Sequence, residues 1–220
     1  GTDKGLTISG SGELDNGWTF YVGTYVSDAI TLSTSVTTLT MGSMGTLKAG
    51  TSFGGAGSAY DEEVPQAYEQ TSDAFQNSSN LVGAALDNNT LVYDSPSYDL
   101  GGASVSFDAA YSPDAHDNGV NNGGVGAQSD VYGEGFGLGV TISAGAITIG
   151  AYGDSRENTT PVAAGADAVH DAFTGTWYAK YSAGPVSFGY QSSYYDSGLT
   201  GSGTAAATAK TVAASSGYFE

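Results

Sequence analysis

The sequence has no cysteine and very few basic residues. Its 220 residues include 5 Lys and Arg against 23 Asp and Glu, which gives a formal net charge of −18. Without cysteine, neither a disulfide framework nor a thiolate metal site can form. A surplus of negative charge of this size repels the phosphate backbone of DNA and RNA. We therefore expect no nucleic-acid partner.

Long apolar runs and catalytic motifs are also missing. No run approaches the roughly 18 residues that a membrane-spanning helix needs. The sequence contains no P-loop and no dinucleotide-binding glycine motif. His116 and His170 lie far apart, without further ligands at zinc-site spacing. These absences predict that the protein is not an enzyme and uses no organic cofactor.

Glycine is abundant, and much of it alternates with apolar residues. The clearest case, Gly133 to Asp154, reads GEGFGLGVTISAGAITIGAYGD. In a strand, Phe136 and Leu138 share one face, while Gly137 and Gly139 share the other. The pattern predicts a hairpin that turns at 144–145, with glycines forming a thin polar wall.

The same alternation recurs along the chain. It predicts strands at Gly5–Leu14, Trp18–Ser27, Ser33–Met41, Thr46–Phe53, Thr90–Ser95, Ala103–Ser112, Val131–Ser143, Ala146–Gly153, Ala172–Ser182 and Val186–Tyr195, with a further strand starting near Thr211. Most have nearly the length of about 9 to 11 residues that a tilted strand needs to cross a bilayer.

Short and long connections alternate between these strands. Turns such as 15–17, 144–145 and 183–185 are short, whereas the connections at 54–89 and 113–130 are long. Short turns at one rim and long loops at the other are typical of a transmembrane antiparallel up-and-down β-barrel, an all-β fold. A soluble or surface β-sandwich module, with a carbohydrate-binding or adhesive function and calcium in its acidic loops, remains the alternative.

Two segments resemble the Gram-negative outer-membrane general porin family. They are TLTMGSMGTLKAGTSFGG at 38–55 and LVYDSPSYDLGGASVSFDAAYSP at 91–113. The resemblance implies a homotrimer in the cell outer membrane, surrounded by lipid, that lets small hydrophilic solutes and ions diffuse passively. It also implies exposed loops that a phage can use as a receptor. Residues 1–220 would then form a single barrel domain that is incomplete at both ends, with about 10 or 11 of 16 strands.

In that family a long loop after the fifth strand folds into the barrel and narrows the pore. Residues 54–89 occupy the corresponding place, with a short helix predicted within 65–75. Its acidic residues are candidates for the pore constriction, and the alternative is a solvated acidic loop. The candidates are Asp61, Glu62, Glu63, Glu69 and Asp73.

The resemblance also implies an arginine at the position of Thr51, which this sequence lacks. By alternation, Lys48 and Lys180 are the basic residues that we expect on the lumen face, whereas Arg156 is expected in a loop. With so few basic residues opposite the acidic segment, the sequence predicts a pore that favours cations.

A second acidic stretch at 112–124 contains oxygen ligands suited to Ca²⁺. The candidate ligands are Asp114, Asp117 and Asn118, although their spacing does not fit an EF-hand. A calcium site and a hydrated loop without metal both remain open.

Overall fold

A computed structural model describes residues 5–29, 31–61, 63–64, 86, 89–115, 132–159, 170–196, 210–212 and 216–219. The strands are β1 (Leu6–Glu13), β2 (Thr19–Val26), β3 (Leu32–Thr40), β4 (Thr46–Thr51), β5 (Thr90–Asp94), β6 (Tyr98–Asp99), β7 (Ser104–Ser112), β8 (Tyr132–Ala144), β9 (Ile147–Asn158), β10 (Ala172–Ala183), β11 (Val186–Asp196), β12 (Lys210–Val212) and β13 (Ser216–Phe219). Two short 3-10 turns lie at Gly42–Met44 and Gly57–Tyr60. No helix in these ranges is long and apolar enough to cross a membrane.

All the strands belong to one antiparallel sheet in which neighbours in sequence are neighbours in space. The order is β1-β2-β3-β4-β5-β7-β8-β9-β10-β11-β12, with β6 beside β7 and β13 beside β11. This is an up-and-down meander, as the alternating connections predicted. The all-β antiparallel prediction is confirmed.

The hairpins at one end of the sheet turn on glycines in the left-handed conformation. Gly145 joins β8 to β9 at φ 59°, and Gly184 lies between β10 and β11 at φ 61°. A residue with a Cβ is strained there, whereas glycine is not. These turns bring the ends of β8 to β11 together at one rim.

From β8 to β10, the two faces of the sheet differ sharply in exposure. On β8 and β10, Leu138 is 71% exposed and Trp177 48% exposed. On β9 and β10, the side chains of Tyr152, Thr174 and Tyr178 point to the opposite side and are almost fully buried. We call the buried side the inner face and the other the outer face. The predicted alternation is therefore correct, and the core lies against one side of the sheet.

Aromatic pairs mark two levels of the outer face. Tyr111 and Phe136 lie 4.9 Å apart between ring centroids, near the ends of the strands that lead to long connections. Tyr181 and Phe188 lie 5.0 Å apart, close to the Gly184 turn. The outer face thus carries an aromatic pair near each end of the strands.

One strand is longer than the sequence predicted. β9 continues to Asn158, whereas we expected it to end at Gly153. Asp154 and Arg156 lie on the inner face and are buried. The expectation that Arg156 lies in a loop was wrong, because residues 154–158 are polar on both faces and the apolar alternation stops before the strand does.

Candidate functional site

The chain turns back onto the inner face just after β4. Gly54 and Gly55 have φ of 98° and 54°, which allows the reversal. The 3-10 turn Gly57–Tyr60 then contacts β8, β9 and β10. The described beginning of segment 54–89 therefore lies against the inner side of the sheet, close to strands far along the sequence.

Among the described residues of this segment, Tyr60 is the most deeply packed. Its side chain is 0% exposed. Its ring stacks on Tyr152 at 5.3 Å and contacts Tyr178 at 6.4 Å between centroids. A Cβ at Gly139 would overlap the Tyr60 ring, so this site requires a residue without a side chain. Aromatic rings at these separations attract each other beyond the effect of burial.

The Tyr60 hydroxyl donates a hydrogen bond to the Asp108 carboxylate. Burial, followed by this hydrogen bond, raises the pKa of Tyr60 well above its ordinary value. Tyr60 therefore stays protonated around neutral pH, and its hydroxyl remains a donor to the carboxylate.

Gln191 holds the backbone of the same segment. Its Nε2 donates to the Tyr60 carbonyl oxygen at 2.8 Å, and its Oε1 accepts from the Glu63 amide at 2.8 Å. The Nε2 also donates to Thr176 Oγ1 at 3.0 Å. Ser193 donates to the same Thr176 oxygen at 2.9 Å. One buried side-chain amide thus binds both ends of the stretch from Tyr60 to Glu63.

These contacts define what we call the anchor site. Its members come from the inserted segment and from β7 to β11, and most of them face each other in adjacent cross-strand pairs. The members are Tyr60, Asp108, Gly139, Tyr152, Tyr178 and Gln191. Alternation of Gly and apolar residues indicated an inner face rich in glycine. Nothing local in the sequence indicated which side chains pack against these glycines.

Both lysines that we expected on the inner face form ion pairs. Lys180 contacts the Glu63 carboxylate of the inserted segment. Lys48 Nζ lies 2.6 Å from Asp94 Oδ2. All four side chains are about a third exposed. Neither lysine therefore presents an isolated positive charge to the space that the inner face encloses.

A third basic residue, which the sequence interpretation placed elsewhere, belongs to the inner face. Arg156 Nε lies 4.0 Å from Asp154 Oδ1, and both side chains are nearly inaccessible. The Arg156 guanidinium also lies over the Tyr132 ring, 4.3 Å from its centroid. Cation–π contact and a neighbouring carboxylate together compensate a buried charge.

The candidate acidic residues are only partly within the described chain. Asp61 and Glu63 directly follow the 3-10 turn and are partly buried. Glu62, Glu69 and Asp73, together with the helix predicted at 65–75, lie outside the described residues. The constriction assignment stays a prediction for this set.

The calcium candidates are divided in the same way. Asp114 lies just after β7 and is partly buried, whereas Asp117 and Asn118 lie outside the described residues. Within the parts of the chain that the structure describes, no group of three or more His, Asp or Glu residues could hold a metal ion. The calcium site stays a prediction.

The space beside the glycines of the inner face is filled by neighbouring side chains. Cβ atoms at Gly135 and Gly137 would meet Leu86 of the inserted segment, and one at Gly150 would meet the Tyr178 ring. The expectation that these glycines form a thin wall beside passing solutes was wrong for β8 and β9. They provide room for side chains packed on the wall.

Comparison with known protein families identifies the family of this chain. The model of the Gram-negative porin family matches residues 1–218. The chain belongs to the Gram-negative porin family. No curated protein shows a significant match to it. The porin is therefore an outer-membrane β-barrel of a family of diffusion channels, and its sheet is part of the barrel wall.

Family membership gives a physical meaning to the two faces. The outer face meets lipid hydrocarbon, which explains its exposed aliphatic residues such as Leu138 and Ile142. Aromatic side chains near strand ends, such as Tyr111 and Tyr181, are typical of the membrane interfaces in such barrels. The inner face is the lumen side, and it carries the anchor site.

Proposed function

We propose that this porin allows passive diffusion of small hydrophilic solutes and ions through a pore narrowed by segment 54–89, with a preference for cations. The observation that carries the proposal is the docking of Gly57–Tyr60 on the inner face of β8 to β10. A segment that lies on the lumen side reduces the cross-section open to solutes. Its carboxylates then border the narrowed passage.

The charge balance supports the cation preference. The segment contains Asp61, Glu62, Glu63, Glu69 and Asp73 and no basic residue between Gly54 and Asn89. The lysines on the wall are compensated by Glu63 and Asp94. A passage bordered by carboxylates, with its basic side chains already paired, stabilises cations relative to anions.

The reversal potential of single channels in a tenfold KCl gradient tests this proposal. We expect the reversal potential to have the sign of a channel that is more permeable to potassium than to chloride. The substitution Asp61→Asn should lower the cation-to-anion permeability ratio by about two- to fivefold, because one charge a few ångströms from an ion in a water-filled passage contributes about 1 kcal/mol or less. Asp15→Asn, in the exposed turn after β1, is the matched control and should leave the ratio almost unchanged.

An anion-selective channel would contradict the cation preference while leaving diffusion intact. A purified, folded porin that conducts no ions would contradict the proposed function as a whole.

The assembly that we propose is a homotrimer, as is typical of the family. The relevant measurement is the number of chains in the detergent-extracted protein. Binding of phage to the exposed loops and binding of Ca²⁺ near Asp114 stay predictions.

A further inference from the structure

The anchor site joins residues that are far apart in sequence. Tyr60 and Gln191 are 131 residues apart, and Tyr60 and Asp108 are 48 apart. Its contacts involve the backbone of the inserted segment as well as its side chains. The position of the segment is therefore determined by a few specific groups on the wall.

We propose that Gln191 is a positioning residue that fixes the inserted segment on the barrel wall and so sets the width of the pore. This inference rests on the proposed function, because it treats the segment as the pore constriction. The Gln191 amide binds the backbone, and therefore acts whichever side chains the segment carries.

The geometry explains why glutamine suits this position. An amide offers a donor and an acceptor on one planar group, and here Nε2 binds the Tyr60 carbonyl while Oε1 binds the Glu63 amide. Gln191 is only 2% exposed, so water does not readily replace either bond. A buried backbone group that loses its partner costs more free energy than the bond itself contributes.

Neighbouring hydroxyls fix the orientation of the amide. Thr176 Oγ1 accepts from Gln191 Nε2 and from Ser193, and it donates to the Ser192 carbonyl at 3.2 Å. Because its single hydroxyl hydrogen is donated to the Ser192 carbonyl, Thr176 Oγ1 can only accept from Gln191, which favours the amide orientation that points Oε1 toward Glu63. The network thereby prepares Gln191 to bind the segment before the segment docks.

The ion pair of the segment is a weaker attachment. Lys180 and Glu63 are about a third exposed, and pairs that water reaches contribute little to stability. Tyr60 holds the other end by stacking and by its bond to Asp108. Loss of the Gln191 amide should therefore release the Glu63 end of the stretch first, while the Tyr60 ring remains packed.

Two measurements on the full-length porin test this inference. The first is single-channel recording of Gln191→Leu, which removes the amide but keeps a side chain of similar size. We expect open-channel current noise to rise several-fold and voltage-induced closure to begin at lower voltage. Both changes in the current report movement of the segment itself, because the substitution neither adds nor removes a charge.

The second measurement is hydrogen exchange at the Glu63 amide, followed by mass spectrometry of the peptide that contains it. In Gln191→Leu, exchange should be about five- to tenfold faster, which corresponds to the loss of a hydrogen bond of about 1 kcal/mol. Gln191→Glu keeps the acceptor for the Glu63 amide but loses the donor to Tyr60. In this variant, the exchange rate of the Glu63 amide should stay closer to the rate in the unchanged protein.

Ser187→Ala is the matched control. Ser187 lies on the same face of β11 and donates to Ser182 on the wall at 3.1 Å. We expect no change in noise or in exchange at Glu63. If Gln191→Leu behaves like Ser187→Ala in both measurements, Gln191 does not position the segment.

The two proposals fail differently. A folded porin without conductance would remove the proposed function, while the exchange comparison would still test the anchoring. If Gln191→Leu does not assemble, Gln191→Glu replaces it. Loss of the donor to the Tyr60 carbonyl should then raise the open-channel current noise, and normal noise in that variant would overturn the inference.

Discussion

Among single residues, Gly139 has the most direct influence on the inserted segment. The Tyr60 ring occupies the space that a side chain at position 139 would need. Because a close-packed site cannot accept added atoms without displacement, a larger residue at 139 must move Tyr60 or the wall. The absence of a side chain thus determines where the segment rests.

We predict that Gly139→Val displaces Tyr60 and lowers the free energy of unfolding by about 1–3 kcal/mol. Single-channel conductance should fall, because the added side chain pushes the segment away from the wall and further into the passage. Urea unfolding in lipid vesicles measures the first effect, and planar-bilayer recording measures the second.

Gly10→Val is the control for this substitution. Gly10 also lies within a strand, but a Cβ there meets no atom within 4 Å. Its effect on the free energy of unfolding should stay within about 0.5 kcal/mol. Equal effects of the two variants would show that the Gly139 contact is unimportant.

The sequence indicates the residue types on each face much better than it indicates their partners. Alternation correctly placed Lys48 and Lys180 on the inner side. It did not identify Gln191 or Asp108 as partners of Tyr60, because these contacts span 48 to 131 residues and leave no local pattern. A tyrosine in a long acidic connection does not differ, in sequence alone, from one exposed to solvent.

At the level of elements, β8 combines a lipid-facing row with a row that packs on the lumen side. Leu138 lies between Phe136 and Ile142 on the outer face, well inside the strand. A charge at such a depth in the apolar band must be moved out of water into hydrocarbon. On the opposite face of the same strand, a charge stays in contact with water and this free-energy cost does not arise.

Leu138→Arg should therefore destabilise the folded porin by about 2–4 kcal/mol. Ser143→Arg, on the inner face of β8, should change stability much less and act on ion selectivity instead. Folding into vesicles at increasing urea, followed by the heat-modifiable mobility of the folded band, distinguishes the two. Comparable losses in both variants would mean that the outer face of β8 does not contact hydrocarbon.

The limits of strand prediction follow from the same physics. Where one face meets lipid, the apolar period of two is clear, and the β8–β9 hairpin was predicted with its turn. Beyond the membrane, both faces of a strand meet water or polar neighbours. The end of β9 at Asp154–Asn158 therefore contains no apolar alternation, although its backbone still pairs with β8 and β10.

For the whole molecule, the dominant property is its negative charge, since 23 acidic residues stand against 5 basic ones. We predict that cation preference decreases as salt increases from about 0.1 M to 1 M, because the Debye length shortens from about 10 Å to about 3 Å. The permeability ratio from reversal potentials at constant gradient measures this. A ratio independent of salt would point to a size-based filter instead of an electrostatic one.

The overall architecture was the most predictable part of the porin. Alternating strands and the sequence of short and long connections indicated a meander, and the family match agrees with it. The inward path of segment 54–89 came only from resemblance, since no physical property of an acidic connection determines to which side of a sheet it folds. Its first residues lie on the inner face, where Tyr60 finds its partners.

The distance in sequence between Tyr60 and Gln191 has a consequence for how the barrel forms. Contacts between residues far apart along the chain carry a high loop-closure cost and form late. The stretch from Tyr60 to Glu63 cannot be held by Gln191 until β11 has joined the sheet. During assembly, the barrel should therefore pass through a stage in which its wall is largely built but its passage is still wide, and the membrane is most permeable just before folding is complete.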